Sequence, residues 1–429
     1  MAGSTQPAQD DAAAGQAADA VDPVAQGGGI RSFLGPLALR DYRLFLGSSA
    51  AFSVGLWVQL TTMGWLALRL TDSAFLVSVV NVFWFIPFFV LALPAGVIAD
   101  RFDRRRTVML ARSASVGVLF LMSFLTFSDQ ITYPWLLALT LLVGASISIE
   151  LPARQSYVAM LVPPAQLVNA MALFQWNNGI FRLIGPLLAG FLVARMGEGG
   201  GFGLFAIFNV VFVLVMLIMR TPGKVEQAET RPPLEDLMDG LRYLRGHRDA
   251  FALVLMAILT GTMGWVYLAL MPVIARDVLD GDAFTLGLLG MAVGAGAMPG
   301  AIVLAFYRDF PWAGRTYVAG LLLFGVCVTL FAYSQWFWVS MGLLTLVGAG
   351  FGAQSILLTS TLLRVVETAY QGRVLGAMNL TWGANIIGTL AAGSVAETLG
   401  VSLAVGLSGV LIVVFTIVVV AFNPRLLRL

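Results

Sequence analysis

Charge interrupts this chain too rarely for it to fold in water. Runs of roughly 20 apolar residues, the length that crosses a bilayer, fall near 45–68, 74–99, 107–127, 134–158, 167–194, 203–219, 251–275, 284–306, 315–334, 336–360, 374–396 and 401–421 of its 429 residues. A globular protein would carry charge on about a quarter of its positions, whereas here 11% are charged and 59% hydrophobic. Backbone inside lipid must satisfy its own hydrogen bonds, so each run is read as a helix. The expected fold class is all-α integral membrane, with twelve transmembrane helices.

Arginine placement sets the orientation. Of the 25 Lys and Arg, Arg69, Arg195 and Arg276 fall on one side, Arg112 and Arg182 fall within spans, and the rest share the other side. The basic side faces the cytoplasm, so both termini are expected there, including a disordered tail at 1–30 and a short end at 424–429. The tail lacks the basic and apolar regions of a signal peptide. The single cysteine, Cys327, excludes an intrachain disulfide. His247, the lone histidine, reads as a surface residue of the central loop. No Gly-x-x-x-x-Gly-Lys-Ser/Thr loop and no His/Cys cluster at metal spacing occurs, so neither cofactor nor metal is expected, and the chain is not read as an enzyme. The basic loops suit membrane lipids better than nucleic acid.

The chain repeats itself. Aligning 162–197 with 365–400 at an offset of 203 pairs Val162/Val365, Ile184/Ile387, Gly185/Gly388, Leu187/Leu390, Ala189/Ala392, Gly190/Gly393 and Gly197/Gly400. These are spans five and eleven, so duplication of a six-helix unit is expected, giving pseudo-symmetric bundles at 31–219 and 250–423. The linker, 220–249, carries Leu234, Leu237, Met238, Leu241 and Leu244 at helical spacing and reads as an interfacial helix.

Between spans two and three stands Gly96-Val97-Ile98-Ala99-Asp100-Arg101-Phe102-Asp103-Arg104-Arg105-Arg106. Its arginines can engage helix C-termini or carboxylates, and its acid can cap or pair at a helix end. The spacing Gly-x-x-x-Asp-Arg-x-x-Arg-Arg resembles the corresponding loop of the major facilitator superfamily of transporters, with Asp103 where a glycine is usual. The resemblance implies a gating role for Gly96, Asp100, Arg101, Arg104 and Arg105; the other reading is a topology signal that touches lipid headgroups. The second-half counterpart is degraded to residues 307–315. The stretches at 152–155, 161–173 and 177–190 resemble a subgroup that includes enterobactin and macrolide exporters. Gly185-Pro186-Leu187-Leu188-Ala189-Gly190 resembles the span-five signature of drug:proton antiporters, with Ala189 and Phe181 in place of glycines. A helix kink around Gly185, Pro186 and Gly190 is expected there.

Glu150 is the one acid well inside an apolar span, and an intramembrane carboxylate is costly. Arg154 shares its helix face and Arg182 lies in the next span. A Glu150–Arg182 pair either borders a cavity, with Arg154 nearer the inner mouth, or ties two helices together; loosely partnered, Glu150 could carry protons. The span-four arginine and span-one acid of many proton-coupled drug exporters are missing, so proton coupling must rest on Glu150 or give way to another driving force. Gln59, Thr62, Asn81, Trp84, Gln175, Asn177, Asn178, Thr260, Trp265, Gln354, Asn379, Trp382 and Asn385 are the candidate cavity wall, which suits an amphiphilic, largely neutral ligand. The expected function is alternating-access export of a drug, macrolide or siderophore-like molecule from the bacterial cytoplasm by a monomer in the inner membrane, with protons as the expected coupling ion. The alternatives are a lipid or lysolipid flippase of the same fold and a non-transporting sensor or scaffold.

Overall fold

The computed structural model describes residues 30–224, 233–306, 312–368, 370–378 and 380–428, and every regular element among them is helical. Helix α1 (Arg40–Thr71) is the first span. The second is α2 (Ala74–Val90) with α3 (Ala92–Arg101), which meet at a 50° bend. Pro87 and Pro94 have no N–H to donate, so the helical ladder loses a bond on either side of Leu91. The third and fourth spans are α4 (Arg104–Phe127) and α5 (Tyr133–Met160). The fifth and sixth share α6 (Leu167–Ile218), split at Gly197, whose φ of 69° is left-handed.

After α7 (Pro233–Gly246), the seventh span is assembled from α8 (Arg248–Met263), α9 (Val266–Val273) and a π-helical turn at Ile274–Val278. Helices α10 (Ala283–Phe306), α11 (Ala313–Ala332) and α12 (Phe337–Val365) follow. The eleventh span is α13 (Gln371–Met378) with α14 (Leu380–Leu399), and the twelfth is α15 (Val401–Phe422). Among the described residues, eight runs are long and apolar enough to cross a membrane singly, and the α2–α3 pair makes nine. The other expected spans are the second part of α6, α10 and the interrupted α13–α14.

The aligned glycines occupy equivalent places. A Cβ on Gly185 would collide with Trp57 of the first span, and one on Gly388 with the Thr262 carbonyl of the seventh. Gly190 lies where a Cβ would be 2.5 Å from the Ala283 carbonyl of the eighth span, and Gly393 where it would be 2.6 Å from Ser78 Cβ of the second. Gly197 and Gly400 both have positive φ, 69° and 98°, and end their spans. Gly185 and Pro186, where a kink is expected, lie inside α6. The backbone is helical through both residues, and the glycines at 185 and 190 allow close helix approach.

A second repeat, offset by 208, pairs Arg40-Asp41 with Arg248-Asp249, Trp57 with Trp265 and Asp72 with Asp280. Arg40 donates to the Ile218 carbonyl at 3.4 Å and Arg248 to the Phe422 carbonyl at 2.6 Å, so each holds the C-terminus of its half's last span. Asp41 accepts from the amides of Arg220 and Thr221 at 2.8 and 2.7 Å, and Asp249 from Asn423 Nδ2 at 2.8 Å. Asp72 and Asp280 share a φ of 48° at the opposite end. The end carrying Arg40 and Arg248 is termed the near end, and that carrying Asp72 the far end.

Helix α7 is fastened to the second half. Tyr243 stacks between His247 and Tyr370, with centroids at 3.9 and 4.4 Å, and Asp239 pairs with Arg373 at 3.8 Å. Met238 is left exposed. The tail at 1–29 and the motif remnant at 307–311 lie outside the described residues.

Candidate substrate pocket

Between the halves lies a cavity whose walls come largely from matched positions of the two repeats. Trp57, Leu60, Thr61 and Gly64 face it from α1, one stripe at i, i+3, i+4 and i+7. Trp265, Leu268, Ala269 and Pro272 face it from the seventh span at the same offset of 208. Arg182 and Pro186 of α6 are matched by Asn385 and Thr389 of α14 at the offset of 203. Asn81 and Phe85 of α2 oppose Leu286, Gly290 and Val293 of α10. Trp265 packs edge-to-face on Phe85 and Phe351, each at 6.0 Å.

Charge breaks this symmetry. The Arg182 guanidinium lies over the rings of Phe351 and Trp57 at 4.6 and 5.4 Å. Among the described residues no carboxylate pairs with it, and none lines the pocket. Its counterpart Asn385 is 1% exposed, accepts from Thr389 Oγ1 at 2.7 Å and leaves its own Nδ2 without a partner. Asn81, also in the lining, donates to the Val77 carbonyl at 3.3 Å.

The Glu150–Arg182 pair expected from the sequence does not form. Glu150 Oε2 instead accepts from Arg112 of α4, and Oε1 lies 2.9 Å from Arg154 Nε one turn along α5. Arg112 also donates to Asn209 of α6 at 3.1 Å, and both guanidinium groups lie against Phe52, at 3.3 and 4.9 Å. All three charged side chains are buried inside the first half. Arg154 thus sits in the cluster, not at a mouth. Arg182 is turned the other way because its stripe of α6, with Pro186 and Gly190, faces the second half.

At the near end the basic loop acts on its own half. Asp103 caps α4, accepting from the Arg106 amide at 2.9 Å, so the residue that departs from the usual glycine does the capping. Asp100 and Arg101 are exposed. Arg105 donates to the Met216 carbonyl at 2.6 Å and to that of Leu217 at 3.1 Å, gripping the C-terminus of the sixth span. Arg104 donates its backbone N–H to the Gly223 carbonyl at 2.8 Å. Gly96 has nothing within 4 Å of where a Cβ would stand.

The family model described as "transmembrane secretion effector" matches residues 31–427. The chain belongs to that family. It is a multi-pass transporter family of the major facilitator superfamily, and its members are not enzymes. The staphyloferrin A transporter of Staphylococcus aureus is 25% identical over 315 residues, 68% of this chain and 78% of that protein. Macrolide efflux protein A of Streptococcus pyogenes is 21% identical over 391 residues, 90% of this chain and 96% of that protein. A solved point mutant of the nucleoside transporter NupG superposes with a TM-score of 0.72 at 15% identity, over 89% of this chain and 100% of that one.

In this secretion effector, Asn81, Trp265 and Asn385 of the expected wall do line the pocket. Gln59 and Thr62 are fully buried on another face of α1, with Thr62 against Gly201 of the sixth span. Trp84 is buried beside Gly144 of α5. Asn178 accepts from Ser53 at 2.8 Å and donates to Gln175 at 3.5 Å; Asn177 is half-buried. Thr260 donates back to the Met256 carbonyl at 2.8 Å, and Gln354 is buried beside Gly320. None of these lines the cavity. Asn379 and the Trp382 side chain lie outside the described residues. Trp57, Phe85 and Thr389 were missed, although the 208 offset pairing Trp57 with Trp265 was a signal for the first.

Proposed function

We propose that this secretion effector exports an amphiphilic small molecule by alternating access, with the central pocket as the substrate site. The observation that carries the proposal is the lining itself. Matched positions of two repeats face each other across one cavity, as two rocking bodies need in order to show one site to each side in turn. The names of the staphyloferrin A and macrolide relatives support a small-molecule cargo, and the second supports the outward direction.

At the far end the halves are joined. Arg276 pairs with Asp72 at 2.5 Å, and Glu397 accepts from Ser73 Oγ and the Phe75 amide at 3.0 and 3.1 Å. With the near end read as cytoplasmic from its arginines, this state loads from the cytoplasm of a bacterium. Residues 31–219 and 250–423 are then the moving bodies of a monomer surrounded by lipid, with no nucleic-acid partner. The exposed Asp100 and Arg101 are free to meet the second half when the near end closes, which is the gating role proposed for the basic loop. Coupling to the proton gradient is part of the proposal, supported by the antiporter-like segment of α6, but Glu150 is committed to two guanidinium groups and is not proposed as the lone carrier.

The test is accumulation of a dye, macrolide and siderophore panel in an efflux-deficient bacterial host, with and without an uncoupler. Wild type is expected to lower accumulation of at least one compound, and Thr61→Trp, which fills the pocket, to abolish this at equal membrane abundance. Undiminished efflux by Thr61→Trp would place the substrate elsewhere. Efflux that survives the uncoupler would remove the proton from the mechanism.

A further inference from the structure

We infer that the central pocket takes amphiphiles bearing a single acidic group, a carboxylate or ionised phenol, received by Arg182 and Asn385 while the apolar body lies on Trp57, Phe85 and Trp265. The inference rests on the pocket being the transport site. Arg182 is the one charged residue of the described lining, and no carboxylate reaches it. Fold symmetry does not require that charge, because the matched position of the second repeat is the neutral Asn385. An arginine at membrane depth is expensive to hold and marks a functional site by default. Its contacts with Phe351 and Trp57 offset only part of that cost and satisfy none of its five N–H groups.

Asn385 supplies the second, independent observation. It is buried in the pocket lining, its oxygen is occupied by the Thr389 hydroxyl, and its Nδ2 has no acceptor. A buried donor without a partner at Asn385 and a guanidinium with no carboxylate at the matched position of the opposite wall together suit an anionic oxygen between them. A buried unmet donor is penalised until something fills that role. An anionic oxygen answers both, whereas an ammonium would meet Arg182 as a like charge. The aromatic walls then take the rest of the ligand.

Three probes of one shape and different charge decide it: 1-pyrenebutyrate, 1-pyrenebutanol and 1-pyrenebutylamine. The full chain is held in phosphatidylcholine nanodiscs, and binding is read by energy transfer from tryptophan to pyrene. The acid is expected to bind about tenfold or more tighter than the alcohol, the scale of one charge-assisted hydrogen bond, and the amine weakest. Arg182→Gln is expected to erase the preference for the acid and Arg182→Lys to keep part of it. Asn385→Asp, which leaves Arg182 in place but sets a carboxylate opposite it, is expected to weaken the acid alone by a similar factor, and it decides the matter if Arg182→Gln does not fold. Equal binding of acid and alcohol by wild type, or an acid preference unchanged in Asn385→Asp, overturns the inference and leaves the pocket reading intact. Binding of all three that survives Thr61→Trp, or none to wild type, overturns the pocket reading itself and the inference with it.

Discussion

Glu150 holds two arginines together where no water can do so: its carboxylate and the Arg112 guanidinium are each 1% exposed, and Arg154 is 6% exposed. Breaking such a cluster from one side leaves uncompensated charge in a low-dielectric interior, which costs about 3–5 kcal/mol. Glu150→Gln is therefore expected to lower the unfolding temperature and the folded yield sharply, as read by fluorescence-detected size exclusion after heating in detergent. Replacing Glu150 and Arg112 together with leucine and methionine is expected to recover part of the loss. A Glu150→Gln protein that is as stable as wild type but does not transport would return Glu150 to proton carriage. The acid itself was legible in the sequence because a lone carboxylate in an apolar run is conspicuous. Its partner was not, since spans three and five both adjoin span four in the chain, and sequence order does not tell which of Arg112 and Arg182 turns toward Glu150. The same holds on α1, where Gln59 and Thr62 were chosen over Trp57 and Thr61. One residue turns a helix by about 100°, so polarity identified the span and missed the face.

Helix contacts explain the glycines of one repeat. In spans five and eleven the glycines at 185/388 and 190/393 touch neighbouring backbone or side chains so closely that no Cβ fits, and the repeat survives there as identities. In spans one and seven it survives as Arg-Asp at the near end, the pattern Trp-Val-x-Leu-x-x-Met-x-x-x-Ala at 57–67 and 265–275, and an aspartate at the far end, so the offset of 208 was legible in the sequence as well. The same contacts separate two glycines that sequence treats alike. A Cβ at Gly190 would stand 2.5 Å from the Ala283 carbonyl and 2.9 Å from Gly287 Cα, backbone atoms that cannot rotate away. Gly190→Ala is expected to force α6 and α10 apart, at about 1–3 kcal/mol for overpacking, and to lower both the unfolding temperature and efflux. Gly96→Ala meets open space within a helix, where alanine is favoured by up to about 1 kcal/mol, and is expected to leave the unfolding temperature equal or higher. A fall for Gly96→Ala as large as that for Gly190→Ala would mean that the seam between α6 and α10 is not what the glycines protect.

Across the whole molecule, the far-end clasp sets the balance between the two states that alternating access requires. The Asp72–Arg276 pair is largely exposed, with side-chain exposures of 81% and 34%, so it contributes at most about 1 kcal/mol. The bonds from Ser73 Oγ and the Phe75 amide to Glu397 add about 1 kcal/mol each at most, less for their exposure. Removing both connections in Asp72→Asn/Glu397→Gln is expected to shift the equilibrium by about 1–2 kcal/mol, roughly 5- to 30-fold toward a state open at the far end. The population can be read with a single cysteine at the pocket, Thr61→Cys in a Cys327→Ser background, labelled by a membrane-impermeant maleimide. In right-side-out cells, where the far end faces outward, wild-type labelling is expected to be slow and the double variant faster by that factor. In inverted vesicles, where the reagent meets the near end, wild type is expected to label readily and the double variant more slowly. Rapid outside labelling of wild type would mean that the far end is not closed in the resting protein. Equal rates in the two proteins would mean that closure is held by the glycine seam, with the ion pair and the helix cap only lying on top of it.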